Sequence, residues 1–493
     1  MQGFTVVDAV VMFAYLSGIV ALGMFLGRGQ KNASDFFLGG RTFGWLPIAL
    51  SVIATDLSAV SYMGVPAIAF QSDLRYAVGI FFMPLAVCIV LPVTLRAFYN
   101  RGVFTVYEYL EQRYNVTIRM ATSLLFIMMR VGWLASAIYV PALALSVVTN
   151  LPLLPCIIGA GLLATLYATF GGIKAVIWCD VVQFFVLMGG VLIALLFITI
   201  DFNGDVAGIW HAASKGGHTR IFDFDPSLNA EYSFWSVALG SLVAYMAAQG
   251  TDQVVVQRYL SAKSMGQVMR GAVGQSIIVI PVILLMFLSG TALAAYYGQN
   301  PEMMASLLSI DPADPIASQD RVLPHFFTYG LPQGITGLVI AGILAATMSS
   351  VDSGVNSLAA VAIVDFYKRF QSTQREDGHY LFAGRIATVC FGLLGTITAL
   401  YIGQLGAIIV IMGKIGGFFT GPLVAVFFLG VLTKRANSAG VFCGLMAGLG
   451  LVWWIANSTE VFWGWWAPIG LMVTASAGYV MSIVWERSKR LST

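Results

Sequence analysis

An all-α polytopic membrane protein is predicted from three observations: an apolar composition, a succession of runs long enough to cross a bilayer, and ionisable residues isolated inside those runs. Of 493 residues, 58% are hydrophobic and only 10% are charged, a balance far outside the soluble globular range. Runs of the roughly 20 residues that a crossing requires lie near 6–26, 43–70, 77–98, 118–149, 152–170, 174–200, 233–253, 272–297, 331–363, 382–403, 405–432, 438–456 and 463–485. This reading gives about thirteen transmembrane helices in one transporter domain, 1–493. The isolated charges are Asp56, Arg130, Asp180, Asp352 and Lys414. A charge near the bilayer centre costs about 2.5 to 3.5 kcal/mol on insertion scales, so such residues face a protein interior, a partner or a water-filled path. They predict a route for an ion or a solute.

Taken in order, the first run begins close to Met1 without a basic leader and is too long for a signal segment, so it reads as a retained span. Between the third and fourth runs, Thr105 to Tyr114 reads as a short amphipathic helix whose tyrosines suit the membrane interface. Loops 201–232 and 298–330 are the longest and are rich in acidic residues. Of the 26 Lys and Arg residues, Arg130 and Lys414 lie inside runs, and sorting the other 24 by alternate loops places twenty on one side, including Arg96, Arg119, Arg258, Lys368 and Arg487. Only Arg75, Lys215, Arg220 and Arg321 fall on the other. By the positive-inside rule the N-terminus is outside and the C-terminus cytoplasmic, in a multi-pass cell-membrane protein. The net charge of +3 therefore reflects topology, and a nucleic-acid partner has no support.

Spans 2–6 and 7–11 form two five-helix units, 43–200 and 233–432, with peripheral helices in 433–493. Because five is odd, the second unit enters the membrane in the opposite sense, an arrangement that puts substrate and coupling ions at discontinuous helices near the midplane. Both opening spans carry a suitable break: Ala54-Thr-Asp-Leu-Ser58 ahead of Gly64 and Pro66, and Gln249-Gly-Thr-Asp-Gln253. Unwound backbone is tolerated at that depth only where it lines a cavity or binds an ion. A polar helix end remains the simpler alternative for each break alone.

Cys88, Cys156, Cys179, Cys390 and Cys443 are scattered without a CxxC pair, which predicts packing roles. His211, His218, His325 and His379 fall in loops, against an intramembrane histidine relay. No Walker motif, HExxH or nucleophile elbow occurs, which argues against an enzyme.

Four stretches resemble the sodium/solute symporter family, which includes sodium/glucose, sodium/proline and sialic acid cotransporters: Thr105 to Tyr114, Gly171 to Gln183, Thr251 to Lys263, and Ala345 to Ser353. The resemblance implies a five-plus-five inverted repeat (LeuT-like fold) and secondary active transport driven by sodium. Carried over by position, the principal sodium site would use the carbonyls of Ala54, Leu57 and Ala346 and the hydroxyls of Ser349 and Ser350. Oxygen donors suit a hard cation. A second sodium position would use Asp180, Ser349, Asp352 and Ser353, the last three sharing one helix face. Asp352 stands where the sialic acid pattern has a serine. Two facing carboxylates repel unless a cation lies between them or one is protonated, so proton coupling or proton sharing stays open beside the second sodium.

Candidate substrate contacts are Asp56, Ser58, Ser61, Tyr76, Arg130, Trp133, Gln249, Asp252 and Lys414. The glucose pattern has Asn for Asp56, Gln for Lys414 and an aromatic for Gln249. The arginine of the sialic acid pattern is replaced by Trp133, with Arg130 one turn earlier. The proline transporter pattern also has Asp at the position of Asp56, where it serves sodium binding, and the resemblance implies that role as an alternative here. Otherwise Asp56 and Lys414 are expected to neutralise one another, or Lys414 or Arg130 to meet an acidic group of the substrate. Tyr62, Tyr76 and Trp133 could wall the pocket.

The function expected is a sodium-coupled symporter importing a small polar organic solute by alternating access, a sugar derivative, organic acid or zwitterion, with no obligate protein partner. The alternatives are a passive solute or ion channel, a proton-coupled symporter of the same fold, and a solute sensor, which would need a longer tail than the one after Trp485.

Overall fold

The computed structural model describes residues 4–26, 41–101, 103, 105–149, 151–310, 318–371, 375–405 and 408–492. The loop cations Arg28 and Lys31 lie outside this description, as do the side chains of Lys174, Ala346, Lys489, Arg490 and the first residues of the Gly171 to Gln183 stretch. Among the described residues the chain is helical, with a single isolated bridge between Phe43 and Ala262. Ten helices among the described residues are long and apolar enough to cross a membrane, and a bent pair makes an eleventh. Two of the thirteen expected segments fall on shorter helices: Leu153–Leu166, and Phe234–Gly250 followed by Gln253–Leu260.

Helix is assigned continuously from Leu153 to Asp201, yet its two legs pack in opposite senses. Gly161 lies against Thr396 and Thr165 against Gly392, while Gly190 lies against Val339 and Asp180 meets Ser349. The helices that receive them, 378–402 and 335–361, are themselves opposed, because Leu134 touches both Gly354 and Gly395 whereas Ser123 meets Asp365 and Tyr139 meets Gly403. The legs therefore serve as two spans, as the sequence predicts.

Both expected breaks are present. In the first broken span, Trp45–Asp56 and Ala59–Gln71 are bent by 59°. Leu57 ends the first helix by donating to the Ile53 carbonyl, and Ser58 caps the second by accepting from the Ser61 amide. In the second broken span, Gly250 ends one helix and Asp252 caps the next, its Oδ1 accepting from the Val254 amide at 2.9 Å. A capping side chain satisfies backbone donors left open at a helix start, which is how a polar residue stabilises a break inside an apolar element. The two broken spans are pinned at one end: the Phe43 amide donates to the Ser261 carbonyl, and the Lys263 amide to the Phe43 carbonyl.

Close helix approach depends on small residues. A side chain at Gly290 would collide with the Pro66 backbone, and one at Gly421 with the Ala467 carbonyl. The helix Val106–Arg113 forms where expected, but Tyr107 and Tyr109 are buried in the core rather than displayed at an interface. His325 is also not a loop residue. It is buried in the helix Val322–Gly330, with Nδ1 2.6 Å from the Tyr297 hydroxyl and Nε2 3.1 Å from the Ser306 hydroxyl.

Candidate ion and solute site

The two breaks open on one cavity of about 390 Å³, within the range of small-molecule sites. Asp56, Ser58 and Ser61 line it from the first break, Thr251 and Asp252 from the second, and Tyr76, Arg130 and Trp133 from neighbouring helices. The remaining wall is largely apolar and aromatic, with Phe126, Tyr245, Phe287 and Trp463. Ser61 Oγ donates to the Asp56 carbonyl at 2.8 Å, so the serines stitch the bend. Tyr62, expected as a wall residue, is instead buried beside Gly190 and does not reach the cavity.

Charges in the cavity are arranged differently from the expectation. Arg130 forms an ion pair with Asp252 and stacks over Trp133, with its guanidinium carbon 4.7 Å from the ring centre. Gln249 lies behind the wall. Its carbonyl accepts from Tyr259 Oη at 2.6 Å and from Gln275 Nε2 at 2.9 Å, which turns its amide nitrogen toward Asp56 Oδ2 at 3.4 Å. Lys414 is exposed and absent from the lining, so neither the expected pair with Asp56 nor a substrate contact is formed. The reason is helical phase: at 3.6 residues per turn Lys414 is rotated by about 200° from Gly416, and Gly413, Gly416, Gly417 and Thr420 face the cavity instead.

A second polar cluster lies where the first broken span meets Val176–Asp201 and Ile335–Val361. Asp180, Ser349, Asp352 and Ser353 come together as predicted, all buried. Sequence reasoning missed their centre. Arg258, counted with the loop cations, is 1% exposed and donates to Asp180 Oδ2 at 3.0 Å, to Ser51 Oγ at 2.8 Å and to Ser353 Oγ. Asp180 also accepts from Ser51 Oγ at 2.5 Å and from Ser349 Oγ. The requirement for a cation between the carboxylates could have revealed this arginine, which lies inside the quoted Thr251 to Lys263 stretch.

Two buried oxygens at this junction, Ser350 Oγ and Asp352 Oδ2, lack a hydrogen-bond partner. At the first break, the carbonyls of Ala54 and Leu57 accept none of the turn's backbone hydrogen bonds. Ser51 lies one turn before Ala54 and shares Asp180 with Ser349, the neighbour of Ser350, so the first broken span and the serine helix meet at this carboxylate. Ala346 is one turn earlier in the same helix. All these donors are oxygens, and they fit a sodium ion.

A model described as the sodium:solute symporter family matches residues 36–448. The chain belongs to that family. It is 30% identical to the sodium/sialic acid symporter NanT of Aliivibrio fischeri, with 99% of this chain and 95% of that protein covered. It is 31% identical to sodium-coupled monocarboxylate transporter 1 of Homo sapiens, over 93% of this chain and 74% of the transporter. Among solved structures, the substrate-bound outward-open state of a Na+-coupled sialic acid symporter matches with a TM-score of 0.88 and 27% identity over 98% of both chains. The fold also resembles Mhp1, a nucleobase-cation-symport-1 transporter in a closed conformation, with a TM-score of 0.58 at 14% identity. This chain carries Ser349 and Ser350 and the two broken spans, with Asp352, Trp133 and Lys414 at the positions noted above.

Proposed function

We propose that the chain is a sodium-coupled symporter that moves a small polar organic solute across the cell membrane by alternating access. The observation that carries this reading is the junction of the first broken span with the serine helix, where Ser51 and Ser349 share Asp180, the buried Ser350 hydroxyl has no partner, and both breaks line the adjoining cavity. Sodium held there would fix the bend and the serine helix in one arrangement. The wall of the solute cavity depends on that bend, and this gives the ion differential affinity for one state of the carrier. One positive charge moving through 100 mV supplies about 2.3 kcal/mol, enough for nearly a fifty-fold solute gradient at about 0.59 kcal/mol per factor of e.

At the second cluster, one guanidinium faces two carboxylates. Arg258 neutralises Asp180, and Asp352 keeps an oxygen free. A second cation in this reading is held from Asp352 rather than shared evenly. The units 43–200 and 233–432 act as inverted repeats, supported by the broken span that opens each. The N-terminus is outside and the C-terminus cytoplasmic, and removing the buried Arg258 from the inner-side cations leaves the asymmetry intact.

The test is sodium-gradient uptake into proteoliposomes over a panel of sugars, sugar acids, amino acids and monocarboxylates. Accumulation above equilibrium with sodium and none with potassium is expected. Downhill equilibration that ignores the gradient would instead establish a channel.

A further inference from the structure

Among the described residues, the charged side chains lining the cavity are Asp56, Arg130 and Asp252. Two carboxylates thus face one guanidinium, and the guanidinium is already committed: Arg130 pairs with Asp252, which is held in place by capping the helix Gln253–Leu260. Asp56 is left with the Gln249 amide at 3.4 Å, a weak contact from a group whose carbonyl is fixed by Tyr259 and Gln275. Lys414, the cation expected to neutralise Asp56, is exposed elsewhere. Among the described residues, Asp56 therefore faces the cavity without a salt bridge of its own.

The same cavity is lined by aromatic rings. Tyr76 packs edge-on against Phe287 and Trp463, with ring centres 6.4 and 5.9 Å away, and all three rings line the cavity together with Trp133. A buried carboxylate requires a partner charge, and aromatic faces attract cations. A simple organic acid would bring a second negative charge beside Asp56 and find Arg130 already neutralised. From this geometry we infer that the transported solute carries a protonated amine, which docks on Asp56 against the aromatic wall. The inference rests on the reading of this cavity as the solute site of a sodium symporter, and it narrows the earlier choice of sugar derivative, acid or zwitterion to amine-bearing members of those groups.

The test uses the full-length protein purified in detergent and followed by thermal unfolding in sodium chloride or potassium chloride. Ligands are offered as matched triplets: amino acids, amino sugars and amino alcohols, each with its N-acetyl derivative and its deaminated analogue. Stabilisation by sodium without solute tests the symporter reading by itself. The amine inference expects a sodium-enhanced shift from at least one free amine, with both counterparts at least about tenfold weaker, the weight of a hydrogen-bonded charge contact. Sodium stabilisation with shifts confined to N-acetyl or deaminated compounds, or with no amine bound, overturns the inference and leaves the symporter standing. Asp56→Asn should lose affinity for the amine about tenfold while its sodium-only shift stays as in the wild type. A lost sodium-only shift would make sodium the cation at Asp56 and overturn the assignment. Should Asp56→Asn not fold, the triplets on the wild-type protein decide alone.

Discussion

Ser350 and Asp352 show how a single unpartnered oxygen carries functional meaning. Each is buried in a helix otherwise suited to packing, and neither Ser350 Oγ nor Asp352 Oδ2 has a hydrogen-bond partner. An unmade buried hydrogen bond costs about 1–3 kcal/mol, so a ligand that completes the set is favoured. Ser350→Ala should raise the sodium concentration for half-maximal uptake roughly five- to tenfold, the weight of one lost oxygen donor, with normal expression. Unchanged sodium dependence would remove Ser350 from the ion site. Asp352→Asn should lower the charge carried per solute in voltage-clamped proteoliposomes without abolishing uptake, and an unchanged ratio would make the aspartate structural. Asp352 stands out in the sequence as an isolated carboxylate in an apolar run, whereas Ser349 and Ser350 were reached through the family resemblance, since a serine pair in such a run otherwise suits helix packing. Arg258 was not legible, because its helix, Gln253–Leu260, is short and polar enough to pass for a loop. Lys414 misled for the opposite reason: its position in an apolar run is visible, but the direction of its side chain depends on which helix face meets the cavity.

Among elements, the broken spans were the most readable, since Asp, Ser, Gly and Pro within apolar runs mark where backbone donors need side-chain caps. Their consequence, two breaks opening on one cavity, required the tertiary fold. The helix Val322–Gly330 was less readable: it lies in an acidic loop region, and His325 is made a core residue by Tyr297 and Ser306 from two other helices. Burial pushes the His325 pKa down to about 4 from an ordinary value of 6.5. The sign follows from proton uptake. Between pH 6.5 and about 4 the unfolded chain binds this proton and the folded one does not, so stability is complete above 6.5 and falls as pH drops through that window. The loss reaches a few kcal/mol for a shift of this size. His325→Gln should flatten the acid limb of a melting-temperature profile between pH 6.5 and about 4, in proportion to that loss. A mutant limb as steep as the wild type's would assign the acid sensitivity to other groups.

Across the whole molecule, a polar lock joins elements distant in sequence. Asp365, 0% exposed at the end of the serine helix's continuation, accepts from Thr105 at 2.7 Å, Ser123 at 2.9 Å and Arg119 at 2.5 Å. Arg119 also meets Glu111 at 2.6 Å, and Arg369 donates to the same carboxylate at 2.8 Å. These bonds tie the short helix Val106–Arg113, the start of Val116–Thr149 and the end of the serine helix together on the side rich in Lys and Arg. The sequence pointed to that side through its cations, but it could not show that Arg119 is drawn inward by a buried carboxylate. Alternating access requires one end of the solute path to be sealed while the other opens, and a lock that spans three elements is suited to sealing the inner end. Removing one partner of a buried pair costs about 3–5 kcal/mol, and with the proposed orientation, in which the Lys- and Arg-rich side is cytoplasmic, we propose that this cost falls on the inward-closed arrangement. Asp365→Asn should therefore shift the carrier toward inward-open. With the native cysteines replaced and Thr420→Cys reporting from the cavity, a membrane-impermeant thiol reagent added from the cytoplasmic side of oriented vesicles should label the variant at least about fivefold faster than the parent, as a population shift of about 1 kcal/mol already produces. Labelling that is unchanged from this side, with folding intact, would leave the cluster as a packing device with no part in gating.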